Sequence, residues 1–233
     1  GLVYIPAGFY PVSTVPYFNN RAILQQGLLD LTQPGIAVSP SDPAWLDRAM
    51  EHGEFELTLE LRPKTLSQSR AVILSLSVDQ TRQDFLISQV EHRLYLRIRA
   101  PDAAPHGARH IYLPRVFTRL DWQRIVIKIQ RSALSVKVNG KEMWAEHLPG
   151  VPFGTWSKHD TLSIGNALEF NRPWLGTLRK AHIRAGTESI NLLDGTHTAA
   201  PTLYRFIRAD RIERFVMPAF VSLDGATLRD WCI

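Results

Sequence analysis

Between Gly27 and Gly186, hydrophobic and polar residues alternate in short runs with a period of two. The clearest run is Asp121–Trp144 (DWQRIVIKIQRSALSVKVNGKEMW). Ile125, Ile127 and Ile129 alternate with Val126, Lys128 and Gln130; Leu134, Val136 and Val138 alternate with Ser135 and Lys137. Side chains of a strand point to opposite faces in turn, so this pattern predicts strands with one buried face. Asn139-Gly140 tolerates the positive φ values of a tight hairpin turn and leads to a third strand over Lys141–Trp144.

The same reading predicts strands at Glu54–Arg62, Ala71–Val78, Phe85–Gln89, Arg93–Ala100, His110–Leu113, Thr161–Gly165 and Gly176–Ala185. Phe55, Leu57, Leu59 and Leu61 would face inward on one, and Leu94, Leu96 and Ile98 on another. Ile23–Val38 reads as two short edge strands turning at Pro34-Gly35. Ser41–Met50 is predicted helical, with Asp42 as cap, Pro43 in the first turn and Trp45, Leu46 and Ala49 facing in. Pro6, Pro11 and Pro16 break any ladder near the start, so residues 1–26 are expected to form an extended arm. Residues 27–186 form the predicted domain, and 187–233 a tail. Within that tail, Leu203–Phe220 spaces its apolar residues and four arginines as an amphipathic helix ending at Pro218, able to dock on the sheet or lie on a membrane surface. The expected fold is all-β: an antiparallel two-sheet jelly-roll sandwich with a short N-terminal helix and a partly helical tail.

Composition narrows the picture without changing it. At 233 residues and 45% hydrophobic content the chain can bury a large core. The formal charge of +5 favours anionic partners, yet no Lys/Arg run is dense enough to argue for nucleic acid. The single cysteine, Cys232, excludes a disulfide within the chain and a multi-cysteine zinc site. No apolar run reaches membrane-spanning length. Starting at Gly1, the sequence reads as part of something longer or as a processed product.

The ordered set of motifs resembles the concanavalin A-like, laminin-G-like jelly roll. Glu54–Pro63 is similar to that family's first core strand, ILSLSVD to its second, and Gln83–Gln89 and LYLRIR to its third and fourth. DWQRIVIKI, LSVKVNGK, and LSIGN followed by RPWLGTLRKAHI are similar to the later ones. Gly35-Ile36-Ala37 before PAWLDRA, with the tail LDGATLRDWCI, further resembles the ectodomain of VanZ-like bacterial membrane proteins. That likeness implies an extracytoplasmic domain, periplasmic or at the cell surface, tethered to a membrane in a longer protein.

Candidate chemistry follows from these placements. The superfamily contains glycosidases that carry Glu-x-Asp-x-x-Glu on one strand; here Glu54-Phe55-Glu56 has the first spacing, but position 59 is Leu and the next acid is Glu60. Glu54 and Glu56 would lie ~6.6 Å apart and Glu60 ~13 Å from Glu56. Only the first pair meets the separation glycoside hydrolysis needs, and a solvated strand face is the expected reading. Neither a G-x-S-x-G elbow nor clustered histidines point to other chemistry. Asp79 and Asp84 on one loop, with Asn166 and Glu169 on another, would suit calcium if the loops converge. Trp174 and Trp122 are expected to pack, whereas Trp156, in a Pro/Gly loop, is a candidate for stacking on a sugar. Tyr95, Arg97 and Arg99 share one outward strand face, and Arg124, Lys128 and Gln130 another. If those strands shared a sheet, they would form one basic, partly aromatic surface for acidic groups. The expected function is a non-catalytic binding module for an envelope carbohydrate or anionic polymer, with Tyr95, Arg97, Arg99, Lys128 and Trp156 as its site. The rivals are a protein-interaction or scaffolding ectodomain docking through Leu203–Phe220, and a hydrolase acting through Glu54 and Glu56.

Overall fold

In the computed structural model the described residues are 17–38, 44–78, 81–101, 107–194, 202–205, 214–216 and 221–222. In chain order the strands are β1 (Tyr17–Asn20), β2 (Ile23–Gln25), β3 (Leu28–Leu31) and β4 (Ala37–Val38), followed by helix α1 (Ala44–His52). Then come β5 (Glu54–Pro63), β6 (Ala71–Ser77), β7 (Gln83–Val90), β8 (Arg93–Arg99), β9 (Ala108–Leu113), β10 (Gln123–Gln130), β11 (Ala133–Val138) and β12 (Lys141–His147). The last are β13 (Thr161–Ile164), β14 (Gly176–Ala185), β15 (Glu188–Asn191), β16 (Thr202–Arg205), β17 (Arg214–Val216) and β18 (Val221–Ser222).

Among these, the first sheet runs β12-β11-β10-β5-β14-β3-β2, with β15 beside β14, and the second runs β18-β4-β13-β6-β7-β8-β9. Neighbours such as β10-β5-β14 and β4-β13-β6 are far apart in sequence, so the chain passes repeatedly from one sheet to the other. This is the jelly-roll sandwich that the alternating pattern predicts. A small third sheet joins β1, β16 and β17.

The alternation accounts for the packing. Phe55, Leu57, Leu59 and Leu61 of β5 and Ile125, Ile127 and Ile129 of β10 are each no more than 3% exposed. They meet Leu94, Leu96, Ile98 and Ile111 of the other sheet in one continuous core. The β11–β12 turn is as expected: Asn139 and Gly140 take φ of +52° and +82°. The Asn139 side chain also accepts from the Arg124 backbone N–H (2.8 Å) and donates to Gln123 (2.7 Å), tying the turn to the start of β10. Among the described residues no helix is long and apolar enough to cross a membrane.

Three expectations are corrected. The turn of the first hairpin is Gln26-Gly27, both at positive φ, rather than Pro34-Gly35. Pro34-Gly35 instead lies where the chain leaves the first sheet for the second, and Arg21 N–H donates to the Pro34 carbonyl (3.1 Å). Second, within the predicted helix Leu203–Phe220 the described residues pair as strands β16 and β17; the remainder, like the predicted caps Asp42 and Pro43, lies outside the described residues. Third, β8 and β10 lie in different sheets, so Tyr95, Arg97 and Arg99 share no surface with Arg124, Lys128 and Gln130.

Candidate functional site: an arginine-lined groove on the second sheet

Strand β6 is buried along its whole length and β7 nearly so, on both faces. The inner face meets the core. The outer face is covered by the loop between β13 and β14. Ala167 of that loop packs with Val72, Leu86 and Tyr95. A row of hydroxyls, Ser75, Ser77 and Ser163, runs beneath it, joined by contacts of 3.2 and 2.8 Å.

The loop is fixed at both ends. At its start, Gly165 takes φ of +91°, and an added Cβ would fall 2.5 Å from a methyl of Leu31, so only glycine fits. The Asn166 side-chain oxygen accepts from the backbone N–H groups of Ala167 (2.9 Å) and Arg172 (3.0 Å), holding the loop closed. At its end, Val72 N–H donates to the Arg172 carbonyl (2.9 Å). Trp174, fully buried, donates its indole N–H to Gln89 (2.9 Å). Gln68 donates to the same Gln89 oxygen (3.0 Å) and accepts from Leu175 N–H. A buried polar network thus sets the position of Arg172.

Between this loop and strands β8 and β9 lies a groove of about 500 Å³, within the range of sites that take a small-molecule ligand. Arg70 and Arg172 stand on one side, and Arg93, Tyr95, Arg97, His110 and Tyr112 on the other. Of the described lining residues, four are arginines and none carries a carboxylate. Tyr95 and Tyr112 stack at 4.8 Å between ring centroids, and the Tyr95 hydroxyl meets His110 Nδ1 at 2.6 Å. Arg97 is steadied by one bond to Gln83 (2.9 Å).

The electrostatics reflect clustered positive charge; among the lining arginines, Arg93 is drawn to the carboxylate of Glu91 at 3.8 Å. Burial, opposed by the carboxylate of Glu169 and then by Tyr95, and reinforced by Arg70 and Arg97, lowers the pKa of the Arg172 guanidinium. Burial and then Arg97 lower that of His110, keeping the imidazole neutral at pH 7. Burial, followed by the neighbouring Tyr112, raises that of Tyr95.

The sequence-derived candidates divide. Tyr95 and Arg97 line the groove. Arg99 does not; its guanidinium is ion-paired to Asp84 (3.1 Å). Lys128 faces outward on the first sheet, beside Glu54, Glu56 and Arg184. Trp156 is no stacking platform. It is 4% exposed, its indole N–H donates to the Arg99 carbonyl (3.0 Å), and its ring packs on Phe55, Phe85 and Phe153. The Pro/Gly context signals a loop, but the loop folds inward and closes one end of the sandwich.

The calcium expectation does not fit this arrangement. Both oxygens of Asp84 are engaged, one by Arg99 and one by the Ser157 N–H. The Asn166 oxygen is turned to its own loop, Glu169 faces the cation of Arg172, and Asp79 lies outside the described residues. Among the described residues, no three His, Cys, Asp or Glu side chains gather as a metal site. Beside Asp84 sits Asp160, 2% exposed, whose carboxyl is pushed up to about 7 by burial and then by the charge of Asp84. The hydrolase candidates are on the other sheet, where Glu56 pairs with Arg184 (3.3 Å) and Glu54 accepts from Gln130 (3.0 Å).

Arg70, Arg93, His110, Tyr112 and Arg172 were missed from the sequence. For Tyr112, His110 and Arg93 the strand parity was available; for Arg70 and Arg172, which lie outside any strand, no local pattern existed.

No family model matches the sequence, and no curated protein does. Solved structures do share the fold. The binding domain of botulinum neurotoxin DC, solved with rat synaptotagmin II, superposes with a TM-score of 0.54 at 13% identity, over 79% of this chain and 47% of that one. The Ruminococcus gnavus IT-sialidase CBM40 bound to α2,3-sialyllactose gives 0.53 at 8% identity, over 72% of this chain and 91% of that one. The chain thus spans about half the length of the toxin domain it matches. At these identities the likeness establishes the sandwich alone; both neighbours are binding domains of that architecture.

Proposed function

We propose that this domain is a non-catalytic binding module that holds a carbohydrate, or an anionic polymer built from sugars, in the groove between the β13–β14 loop and strands β8 and β9. The observation that carries the reading is the lining: four arginines, two stacked tyrosines and a neutral histidine in one open trough, with the nearby carboxylates, Glu91 beside Arg93 (3.8 Å) and Glu169 beside Arg172, outside the described lining. Aromatic planes suit the apolar faces of sugar rings, and guanidinium groups suit their acidic substituents. The neighbours' ligands, sialyllactose for one and two ganglioside molecules for botulinum neurotoxin type C, support a glycan. The resemblance to VanZ-like ectodomains supports an extracytoplasmic, membrane-tethered setting. Calorimetric titration of the full chain against neutral and acidic oligosaccharides tests the reading. Saturable binding lost in Tyr112→Ala supports it; no binding by any saccharide would end it.

A second reading has its own observation. Strand β12 is an edge strand whose side chains are mostly exposed, Trp144 at 37% among them, a surface able to add a strand from a protein partner. Binding to a protein that is abolished by Trp144→Lys, with the groove variants unaffected, would favour it.

A further inference from the structure

Resting on the glycan reading, we infer that the ligand's anionic group is an oxyanion seated among Arg70, Arg97 and Arg172, and that Arg172 is the residue that grips it. Three facts converge on this point.

The first is crowding of like charge. Arg70 and Arg97 both act on Arg172, and all three act on Tyr95. Glu169 opposes them at Arg172, and the other two guanidiniums still act on it. A fold keeps such a cluster at a cost, and an oxyanion entering it removes the repulsion.

The second is a set of donors left without acceptors. Nε and Nη2 of Arg172, Nε of Arg97 and the hydroxyl of Ser88, all groove residues, have no hydrogen-bond partner. Ser88 is 1% exposed. Buried donors are almost always satisfied, and each exception calls for an explanation; four gathered in one groove point to a shared acceptor. An oxyanion with two oxygens offers about four acceptor positions, which matches these four donors.

The third is how Arg172 is mounted. Its backbone is held at two points, by Asn166 and by β6, whereas the buried edge of its guanidinium, Nε and Nη2, is bonded to nothing. Turning them toward a ligand breaks no hydrogen bond, and the Nε–Nη2 edge is the one that takes two oxygens side by side. Asn166 is therefore a positioning residue for Arg172, a role different from the metal ligand its sequence context implied.

The test uses a matched set of probes with the full chain: lactose, 3′-sialyllactose, which adds a carboxylate, and 3′-sulfolactose, which adds a sulfate. Wild type is expected to bind at least one acidic probe about tenfold more tightly than lactose; whichever binds more tightly identifies the oxyanion. Arg172→Gln is expected to remove that preference, the acidic probes then binding no more tightly than lactose. Arg172→Lys keeps the charge but loses the side-on edge, and is expected to lose most of the preference too. Asn166→Ala is expected to weaken acidic probes alone, and Arg70→Gln provides an independent variant outside the loop. If Arg172→Lys keeps the full preference, or lactose binds as tightly as both acidic probes, the seat is refuted and the glycan reading stands. If no probe binds and a wider saccharide panel also fails, it is the glycan reading that falls.

Discussion

The two outer faces of this sandwich carry similar side chains and have different fates. On the first sheet, Glu60 meets Arg124 (3.6 Å) and Arg179 (3.0 Å), and Glu56 meets Arg184. Trp122 is covered by Arg62 and Arg179 at 5.1 and 4.5 Å. Arg124, Arg179 and Arg184 each have a partner from an adjacent strand, because β5 lies between β10 and β14 and presents its acids to both. On the second sheet, the loop that buries β6 and β7 contributes Arg172, while β8 and β9 contribute arginines, tyrosines and a histidine. A count of basic residues cannot separate the two faces. Local neutrality does, and it is the ground on which the second sheet is proposed as the binding surface.

The largest test of that contrast removes what holds the loop. Trp174→Ala deletes a fully buried indole and its bond to Gln89, and is expected to cost about 3–5 kcal/mol of stability in denaturant titration. Binding should fail together with stability, since the same network sets Arg172. A milder change is sharper. The double variant Arg97→Gln/Arg172→Gln is expected to weaken an acidic saccharide by roughly 2–3 kcal/mol in calorimetry, whereas Arg124→Gln/Arg184→Gln on the first sheet should leave it within about twofold.

Next in size is a pH effect at the end of the sandwich. The Asp160 carboxyl has a folded pKa of about 7 against 3.8. The folded protein therefore binds more protons than the unfolded chain between about pH 4 and 7, and stability falls as pH rises through that window. Asp160→Asn should flatten this slope and melt higher than wild type at pH 8, by on the order of 1–2 kcal/mol after allowance for solvent screening. A wild-type stability that rises from pH 4 to 7 and is unchanged in Asp160→Asn would contradict the assignment. The smallest effect belongs to the neutralised face: Arg184→Gln should cost under about 1 kcal/mol, because its pair with Glu56 is open to water.

What was legible in the sequence follows the same division. Strands with one wet face, β5, β8, β10 and β11, announced both their existence and their orientation, because water on one side forces alternation. Tyr95 and Arg97 were placed on an outward face for that reason. In β6 and β7 the alternation is lost: AVILSLS is buried on both sides, and its serines face a covering loop instead of solvent. The cover itself, GNALEFNRPWL, has no periodicity, and its shape depends on one Asn side chain and a glutamine network from distant strands. Arg70 and Arg172 therefore had no local signature. Trp156 was misplaced because proline and glycine report backbone shape and say nothing of which way a loop's large side chain turns. Lys128 was grouped with Tyr95 because parity gives the face of a strand but not the sheet to which it belongs.

The central claim is that ligand is held on the second sheet and not the first. An amide chemical-shift titration of the labelled full chain with 3′-sialyllactose, or with whichever acidic saccharide binds most tightly, tests it residue by residue. The account predicts shifts concentrated at Arg70, Ser88, Tyr95, Arg97, His110, Tyr112 and residues 166–172, with the amides of β5, β10 and β14 unmoved. Shifts centred on Glu56, Lys128 and Arg184 would contradict it.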